Sequence, residues 1–309
     1  MYSLCFTDLC HSICINIGVS LLDKLNFETV KNILLPTDFS KNSMNAICYA
    51  IEFLKNQECN FHILNVQKAS SFITDDMMVV NSSTTIYKTL IDAAKKSIDN
   101  IITTLNDEFK NSNHKFHPIV DYDNFIDSIN QACKKYSIDL IIMGTKGASG
   151  LGKVLFGSNT VRVMQRCNVP VLAIPDGCKF KKIVNLAFAT TNSKQFNQVE
   201  LEVLNEIQIL NKASVQILHL ADQNHLVYDA HDNVDFLSNN FLNAKHEFID
   251  TPSDDMYHVV HDYIEKNNIN MLAIMNKRHS FLERLFKTHT VERFAFKIDI
   301  PLLVMQINI

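Results

Sequence analysis

Glycine is scarce in this chain, and most of it is concentrated in one short stretch. Of the seven glycines among 309 residues, five lie between residues 144 and 157: Gly144, Gly147, Gly150, Gly152 and Gly157. Because glycine has no side chain, such a cluster indicates unusual backbone conformations or a close approach of the backbone to another group. Backbone N–H groups in a glycine loop, and those that open a following helix, bind anions. The cluster therefore predicts an anion site with phosphate as its natural ligand, to which the Ser158 hydroxyl adds a donor.

A second candidate region is the segment Pro36-Thr37-Asp38-Phe39-Ser40. It follows the apolar run Ile33-Leu34-Leu35, which is typical of a strand buried on both faces of a parallel sheet. The Asp38 carboxylate would repel a phosphate, but it can accept hydrogen bonds from ribose hydroxyls or from a base amino group. Asp38 can also simply cap the following helix, and the two roles are compatible. Together with the glycine cluster, this segment predicts a nucleotide site.

Two rival nucleotide motifs fit the sequence less well. Gly147-x4-Gly152-Lys153 matches most of a Walker A loop, but Val154 stands where that loop needs Ser or Thr for Mg²⁺. This loop also follows the fourth predicted strand and not the first. A dinucleotide-binding fingerprint is not indicated either, because no G-x-G-x-x-G follows the first strand.

The elements that must position these residues alternate between strand and helix. Apolar residues at helical spacing predict helices around Met44–Leu54, Leu90–Phe109, Phe125–Tyr136 and Val161–Met164. Short apolar runs predict the intervening strands at Phe61–Val66, Phe116–Val120, Leu140–Met143 and Pro170–Ile174. Alternation of this kind predicts an α/β fold with an open, doubly wound parallel sheet. Ligands bind at the carboxyl ends of the strands in such a sheet, which is where Asp38 and Gly144 fall.

The same pattern occurs a second time along the chain. It restarts at Lys181-Lys182-Ile183-Val184, and Ile269–Met275 repeats Ile138–Gly144. Likewise Ile300–Val304 repeats Val169–Ala173. We therefore expect two tandem doubly wound, Rossmann-like domains joined near Pro175–Lys179. The long helix of the first copy is only weakly echoed in the second, by Val234, Leu237 and Phe241.

The spacing Gly144-x2-Gly147-x9-Gly157-Ser158, followed by Val169-Pro170-Val171-Leu172, resembles the nucleotide-binding motif of the universal stress proteins. The Pro36–Ser40 segment is similar to that family's first-strand signature. The resemblance covers residues 31–175 well and residues 180–309 weakly. It implies a universal stress protein domain at residues 29–176 and a degenerate second one at residues 180–309. Residues 1–28 form an N-terminal extension of uncertain status.

Similarity to ATP-binding members of that family implies which residues hold the ligand. It implies that the adenosine is surrounded by Pro36, Thr37, Asp38 and Val66. It also implies that the ribose and phosphates are held by Met143, Gly144, Gly147, Gly157, Ser158 and Asn159. The implied cofactor is ATP, alone or with Mg²⁺.

The second copy departs from the motif. In place of the Asp38 segment it has Leu186-Ala187-Phe188-Ala189-Thr190, and in place of the glycine loop it has Met275–Phe281. The counterpart of Gly157-Ser158 is about Lys287-Thr288. Without small residues the backbone cannot approach a pyrophosphate, so this copy is not expected to bind nucleotide in the same manner. A group of basic residues there either attracts an anion or forms a solvated loop: Lys277, Arg278, His279, Arg284 and Lys287.

Composition limits the other classes of function. The net charge of −4 without a basic stripe argues against nucleic acid, and the 47% hydrophobic content argues against a wholly disordered chain. No apolar stretch is long enough to span a membrane.

Eight cysteines without a CxxC pair indicate reduced thiols in a cytoplasm, and Cys48, Cys133 and Cys167 are expected to fill the core. His258 and His261 stand three apart on a predicted helix, but the pattern favours structural histidines and no metal site.

No arrangement of catalytic residues is recognisable, so the predicted function is binding and not catalysis. We expect a stress-response sensor in which the nucleotide orders the 144–158 loop and switches the surface. The two domains are expected to pair as an intramolecular pseudodimer through their fifth strands, Pro170–Ile174 and Pro301–Ile307. A homodimer and a protein partner of unknown identity are left open. A slow ATP hydrolase and an interaction scaffold that binds no nucleotide are the alternative functions.

Overall fold

The computed structural model describes residues 30–67, 80–145, 156–190, 196–222, 230–241, 243–251, 256–276 and 299–306. The first half of the chain contains β1 (Lys31–Pro36), α1 (Lys41–Phe53), β2 (Cys59–Val66), α2 (Val80–Phe109), β3 (His114–Asp121), α3 (Phe125–Lys135), β4 (Leu140–Gly144), α4 (Ser158–Arg166) and β5 (Val171–Ile174). The second half contains β6 (Asn185–Thr190), a 3₁₀ turn (Val199–Leu201), α5 (Glu202–Asn211), β7 (Ser214–Asp222), α6 (Ala230–Asn240), β8 (Lys245–Thr251), α7 (Met256–Lys266), β9 (Met271–Asn276) and β10 (Leu302–Gln306).

The ten strands of the described residues belong to one sheet, in the order β3-β2-β1-β4-β5-β10-β9-β6-β7-β8. Neighbouring strands within each half are parallel. The predicted α/β class is therefore confirmed. The halves meet where β5 pairs with β10 in antiparallel orientation, with Leu172 opposite Leu303. This is the fifth-strand pairing that the sequence predicts.

The start of the chain shows why these residues form these elements. Ile33, Leu34 and Leu35 are at most 2% exposed, as expected for a strand covered on both faces. Ser40 then caps helix α1, and its side chain accepts a hydrogen bond from the Ser43 amide at 3.2 Å. This contact satisfies one of the amides that a helix leaves without an internal partner.

Equivalent hydrogen bonds recur at the amino ends of the strands in the two halves. The Asn32 amide donates to Asp139 Oδ2 at 2.7 Å, and the Asn185 amide donates to Asn270 Oδ1 at 2.9 Å. In both places a side chain that precedes the fourth strand of its half anchors the first strand. The middle of the second half is shorter, since α6 has 11 residues and α2 has 30.

The predicted start of the second copy is wrong, and so is the predicted counterpart of the Asp38 segment. The second pattern restarts at Asn185 and not at Lys181, because the amides of Ile183 and Val184 donate to the side chains of Asn211 and Asn270 and not to a neighbouring strand. Residues 186–190, which the sequence suggests as the counterpart of the Asp38 segment, are instead the body of β6.

The fifth strand of each half also begins one residue later than predicted, at Val171 and at Leu302. In both cases the residue before the strand is proline, which has no amide hydrogen to donate to a ladder.

Candidate functional site

The predicted site lies at the carboxyl ends of the first-half strands. β1 lies between β2 and β4, so the order of the strands reverses at β1 and β4. Ligands of open parallel sheets bind in the crevice at such a reversal. Asp38 follows β1 and Gly144 ends β4, so the structure brings both candidates to this edge.

Thr37 is fully engaged in holding the loop after β1. It is 6% exposed, and its amide donates to the Leu64 carbonyl at 2.8 Å. Its carbonyl accepts from Asn65 Nδ2 at 2.8 Å. Its hydroxyl lies 3.0 Å from the Ser43 hydroxyl and accepts from the Phe39 amide at 3.0 Å. These bonds use the main-chain and side-chain polar groups of Thr37 to position the loop.

Asp38 is exposed beside this buried anchor. Its Oδ1 accepts a hydrogen bond from the Ser40 amide at 3.1 Å, which closes a tight turn of the kind that Asp favours. Phe39, between them, has φ of 63°, an uncommon conformation for a residue with a side chain. The helix cap is Ser40, so Asp38 shapes the turn and does not cap α1 itself.

The apolar candidates lie at the carboxyl ends of three neighbouring strands: Pro36 and Val66 end β1 and β2, and Met143 is the last residue but one of β4. Pro36 and Met143 are buried, and Val66 is half-buried. All three lie on one face of the sheet, because alternate residues of a strand share a face and the residues two positions earlier belong to one core cluster. These three apolar residues therefore share one face of the sheet close to Asp38.

Gly144 has a packing reason for lacking a side chain. A Cβ at this position would lie 2.8 Å from Asn42 Nδ2 and 3.0 Å from the Asn42 carbonyl oxygen. The close backbone approach that the glycine predicts is therefore an approach to α1. Any role of the Gly144 backbone toward a ligand is additional to this contact.

The start of α4 lies against the end of β4. The Gly157 amide donates to the Thr145 carbonyl at 2.6 Å, and the Thr160 hydroxyl donates to the Gly144 carbonyl at 3.0 Å. Gly157 is the N-cap, and as a glycine it has no side chain to cap the helix. The first turn also contains no acidic residue, while Ser158 and Asn159 are exposed. The first-turn amides lack intrahelical acceptors, so this end of α4 can bind an anion.

Several predicted residues fall outside the described ranges. Gly147 and its neighbours Lys146, Gly150, Gly152 and Lys153 are among them, as are the basic residues between 277 and 287 of the second half. The N-terminal extension, residues 1–28, also falls outside them.

Sequence reasoning missed polar residues at the ends of β2 and β3. Asn65 is 4% exposed and is bonded to Thr37, as described above. Gln67 Nε2 donates to Asn65 Oδ1 at 2.6 Å, and the Gln67 amide donates to the Asp121 carbonyl at 2.9 Å. The available signal was an Asn inside an otherwise apolar strand end, directly before Val66.

The equivalent edge of the second half contains different chemistry. Thr190 pairs with His219 on β7, much as Thr37 lies next to Asn65 on β2. His219 Nε2 lies 2.9 Å from His246 Nδ1, and His246 Nε2 lies 3.0 Å from the Ser238 hydroxyl. Burial lowers the pKa of His219 to about 4 and also lowers the pKa of His246.

The ends of the last two strands of the second half contact the first half. Asn276 Nδ2 donates to the Met164 carbonyl near the end of α4 at 2.8 Å, and Gln306 Nε2 donates to the same oxygen at 3.2 Å. Met275 pairs with Met305, as Gly144 pairs with Ile174, and Met275 is buried. The ends of β9 and β10 are thus occupied by contacts between the halves.

Among the described residues, no group of three His, Cys, Asp or Glu side chains is arranged to hold a metal ion. His258 and His261 lie on α7, and His261 Nδ1 lies 3.7 Å from Asp262 Oδ1. Cys133 and Cys167 are buried free thiols, and burial raises the pKa of each to about 12. No helix in the described ranges combines the length and hydropathy needed to cross a membrane.

The fold has solved relatives along most of its length. A universal stress protein from Archaeoglobus fulgidus superposes with a TM-score of 0.61 at 18% identity, covering 89% of this chain and 96% of that one. A functionally unknown protein from Pseudomonas aeruginosa superposes with a TM-score of 0.52 at 13% identity, covering 91% and 94%. At these identities the likeness concerns the fold.

Sequence similarity is concentrated in the first half. A universal stress protein of Methanocaldococcus jannaschii is 27% identical over 144 residues, which is 47% of this chain and 81% of that protein. The model of the universal stress protein family matches residues 29–175. Residues 29–175 of this chain are therefore a universal stress protein family domain.

Proposed function

We propose that the first half binds ATP or another adenine nucleotide at the carboxyl ends of β1, β2 and β4. The adenosine lies against Pro36, Thr37, Asp38 and Val66. The ribose and phosphates are held by Met143, Gly144, Gly147, Gly157, Ser158 and Asn159. Thr37 acts mainly by positioning the loop that presents Asp38, because its polar groups already have partners.

One observation carries this proposal. An exposed carboxylate after β1 and an uncapped helix start after β4 flank the point where the strand order reverses. The 2.6 Å bond from Gly157 to Thr145 holds that helix start at the strand end. A nucleotide requires both chemistries, since its phosphates need N–H donors and its hydroxyl and amino groups need an acceptor.

Mg²⁺ fits this site only as a companion of the nucleotide. Mg²⁺ prefers oxygen ligands and commonly binds through one or two carboxylates together with substrate phosphates. The described residues supply a single nearby exposed carboxylate, Asp38, and no cluster of acids. Any Mg²⁺ would therefore be held chiefly by the phosphates.

The proposal extends to the organisation of the chain. We infer that residues 29–176 and 180–309 are tandem copies of one domain that pair as an intramolecular pseudodimer, with the second copy not binding nucleotide. The antiparallel β5–β10 pair and the matching bonds of Asn32 and Asn185 support this arrangement. The chain would then act as a cytoplasmic stress-response sensor, in which nucleotide binding changes the surface near residues 144–158.

Titration calorimetry of the full chain with ATP tests the proposal. We expect one ATP per chain and a loss of about tenfold or more in affinity in Asp38→Ala, because hydrogen bonds to a charged group contribute about 1.5–3 kcal/mol. Thr191→Ala is the matched control, since Thr191 follows Thr190 as Asp38 follows Thr37. Its affinity should equal that of the unmodified chain.

The nucleotide recovered after the titration separates the alternatives. Intact ATP supports a sensor, whereas recovery as ADP would show hydrolysis. Absence of binding in a folded chain would contradict the proposal and leave an interaction scaffold.

A further inference from the structure

A cavity of about 290 Å³ lies on the edge of the first half opposite the nucleotide site. It is found where the amino ends of β1, β4 and β5 meet helix α5 and the carboxyl end of β10. Phe53 and Leu54 line it from the first half, and Val203, Ile207 and Leu210 line it from the second. The cavity is mainly apolar and is built by both halves.

One ion pair crosses between the two walls of this cavity. Lys31 Nζ of β1 lies 2.6 Å from Glu206 Oε1 of α5, and both residues line the cavity. These side chains satisfy each other's charge. The other acids of the lining are hydrogen-bonded or exposed: Asp139 and Glu200 accept from the amides of Asn32 and Asn197, and Glu202 is exposed. The apolar part of the lining therefore favours an uncharged group. An aromatic or aliphatic side chain fits a volume of this size.

The segment that joins the two halves packs an aromatic ring on α1. Phe180 packs on α1, with its ring centre 5.5 Å from that of Tyr49 and 5.9 Å from that of Phe53. Asn45 Nδ2 of the same helix donates to the Cys178 carbonyl at 2.9 Å. The chain that leads into β6 therefore anchors an aromatic ring on the first helix of the other half.

An approximate twofold axis relates this filled place to the cavity. The axis passes between Leu172 of β5 and Leu303 of β10, which pair with each other and hold the same position in the two halves. This rotation exchanges β1 with β6 and α1 with α5. The rotation therefore carries the Phe180 contact on α1 to an equivalent position on α5, beside the start of β1. The cavity lies at that position.

The sequence before β1 contains the matching residue. Phe27 stands five positions before Asn32, and Phe180 stands five positions before Asn185. Asn32 and Asn185 make the same anchoring bond at the start of their strands. A chain entering β1 along the equivalent path would therefore bring Phe27 to α5.

Val30, the residue before β1, is much more exposed than its counterpart in the second half. Ile183 is 1% exposed, whereas Val30, which stands at the equivalent position before β1, is 42% exposed. Val30 directly precedes Lys31, which lines the cavity, so its exposed side chain favours coverage by further apolar chain on this side of the sheet.

We propose that the cavity is the docking site for this chain's own segment preceding β1, with the Phe27 ring seated against Val203 and Leu210 of α5. In each half, an aromatic ring from the segment before the first strand then packs on the first helix of the other half: Phe180 on α1 and Phe27 on α5. The contact joins the halves on the edge remote from the nucleotide site, and it does not depend on nucleotide binding.

The absence of tryptophan from the chain provides a direct test. In Phe27→Trp, the single indole should emit at shorter wavelength than an exposed indole and be quenched severalfold less by acrylamide. Adding Val203→Arg, which places a charged side chain in the cavity, should shift the emission to longer wavelength and restore quenching. Val203 is only half-buried, so the fold should tolerate the change, and Leu210→Lys is the second variant if it does not.

Ile209→Arg is the matched control. Ile209 lies on the same helix, is 49% exposed and does not line the cavity, so this change should leave the emission of the introduced indole unaltered. The proposal is overturned if that indole is exposed in the Phe27→Trp chain, or if it is buried but insensitive to Val203→Arg and Leu210→Lys. Protection that disappears on dilution would also overturn it, because the segment would then come from a second copy.

Discussion

The two halves of the sheet agree at the amino ends of their strands and differ at the carboxyl ends. At the amino ends, Asn32 and Asn185 make equivalent anchoring bonds. The turns before the fourth strand of each half also match, with φ of 49° at Ser137 and 51° at Asn268. These contacts and turns set the order and register of the strands. A chain that forms the same sheet in both halves therefore needs them in both halves.

The carboxyl ends differ because the fold places fewer demands on them. Gly144 ends β4, whereas the buried Met275 holds the equivalent position in β9. Asn65 supports the Asp38 loop through Thr37, whereas His219 in the second half is bonded to another histidine. The same sheet thus supports a candidate ligand site in one half and a packed histidine cluster in the other.

Acid should produce the largest effect on stability, because each half buries a histidine. His62 is 5% exposed, and its ring nitrogens have no hydrogen-bond partner in the described structure; burial lowers its pKa to about 4, as it does for His219. An unfolded histidine has a pKa of about 6.5, so between pH 6.5 and 4 the unfolded state binds more protons and stability falls as pH falls. We expect a loss of about 3 kcal/mol for each histidine, measured by urea unfolding at pH 7 and pH 4.

Substitution should separate the two histidines. His62→Phe should reduce the acid sensitivity and leave stability at pH 7 equal or higher, because the ring stacks between His117 and Tyr136 without hydrogen bonds. His219→Phe should lower stability at pH 7, since it removes the partner of His246 Nδ1. Equal effects of the two changes at pH 7 would contradict this distinction.

Gly157→Val should reduce the affinity for ATP by roughly 10- to 100-fold, because it covers the helix start and prevents phosphate from reaching about one or two charge-assisted donors. The backbone of Gly157 has φ of −63° and ψ of 152°, which valine adopts readily, so the fold should persist. Calorimetry measures the affinity, and circular dichroism verifies the fold. A folded variant with unchanged affinity would refute the assignment of phosphate to α4.

Gly144→Ala should destabilise the chain by about 1–3 kcal/mol through overpacking against Asn42. The added Cβ meets the Asn42 side-chain amide, so the double variant with Asn42→Ala should lose less stability than the sum of the single variants. Urea unfolding of the four proteins measures the coupling. Strict additivity would show that the contact between Gly144 and Asn42 does not limit the size of the residue at position 144.

The smallest expected effect concerns the ion pair between the halves. Glu206→Gln should cost about 1 kcal/mol at low salt and less at high salt, because Lys31 and Glu206 are partly exposed and are screened by ions. A double-mutant cycle with Lys31→Met isolates the pair. A coupling that does not change with salt would show that the interaction is not mainly electrostatic.

The sequence alone was sufficient for the α/β framework, and it placed the candidate site residues at the carboxyl edge of the predicted sheet. Continuous apolar runs such as Ile33–Leu35 are typical of buried strands, and their alternation with helical periodicity indicates a parallel sheet with helices on its faces. Such a sheet brings its strand ends together, so residues that follow β1 and β4 must meet at one edge. The repeated Val-Pro-Val and Ile-Pro-Leu segments likewise indicated the strands that pair between the halves.

The tertiary structure decided which of these residues remain available to a ligand. Thr37 resembles a ligand residue in sequence, yet partners remote along the chain, including Asn65, use its polar groups. Gly144 resembles a phosphate-loop glycine, yet the approach of Asn42 already requires it. Hydrogen bonds and steric contacts between distant residues depend on the final packing of helices on the sheet, and local periodicity carries no information about them.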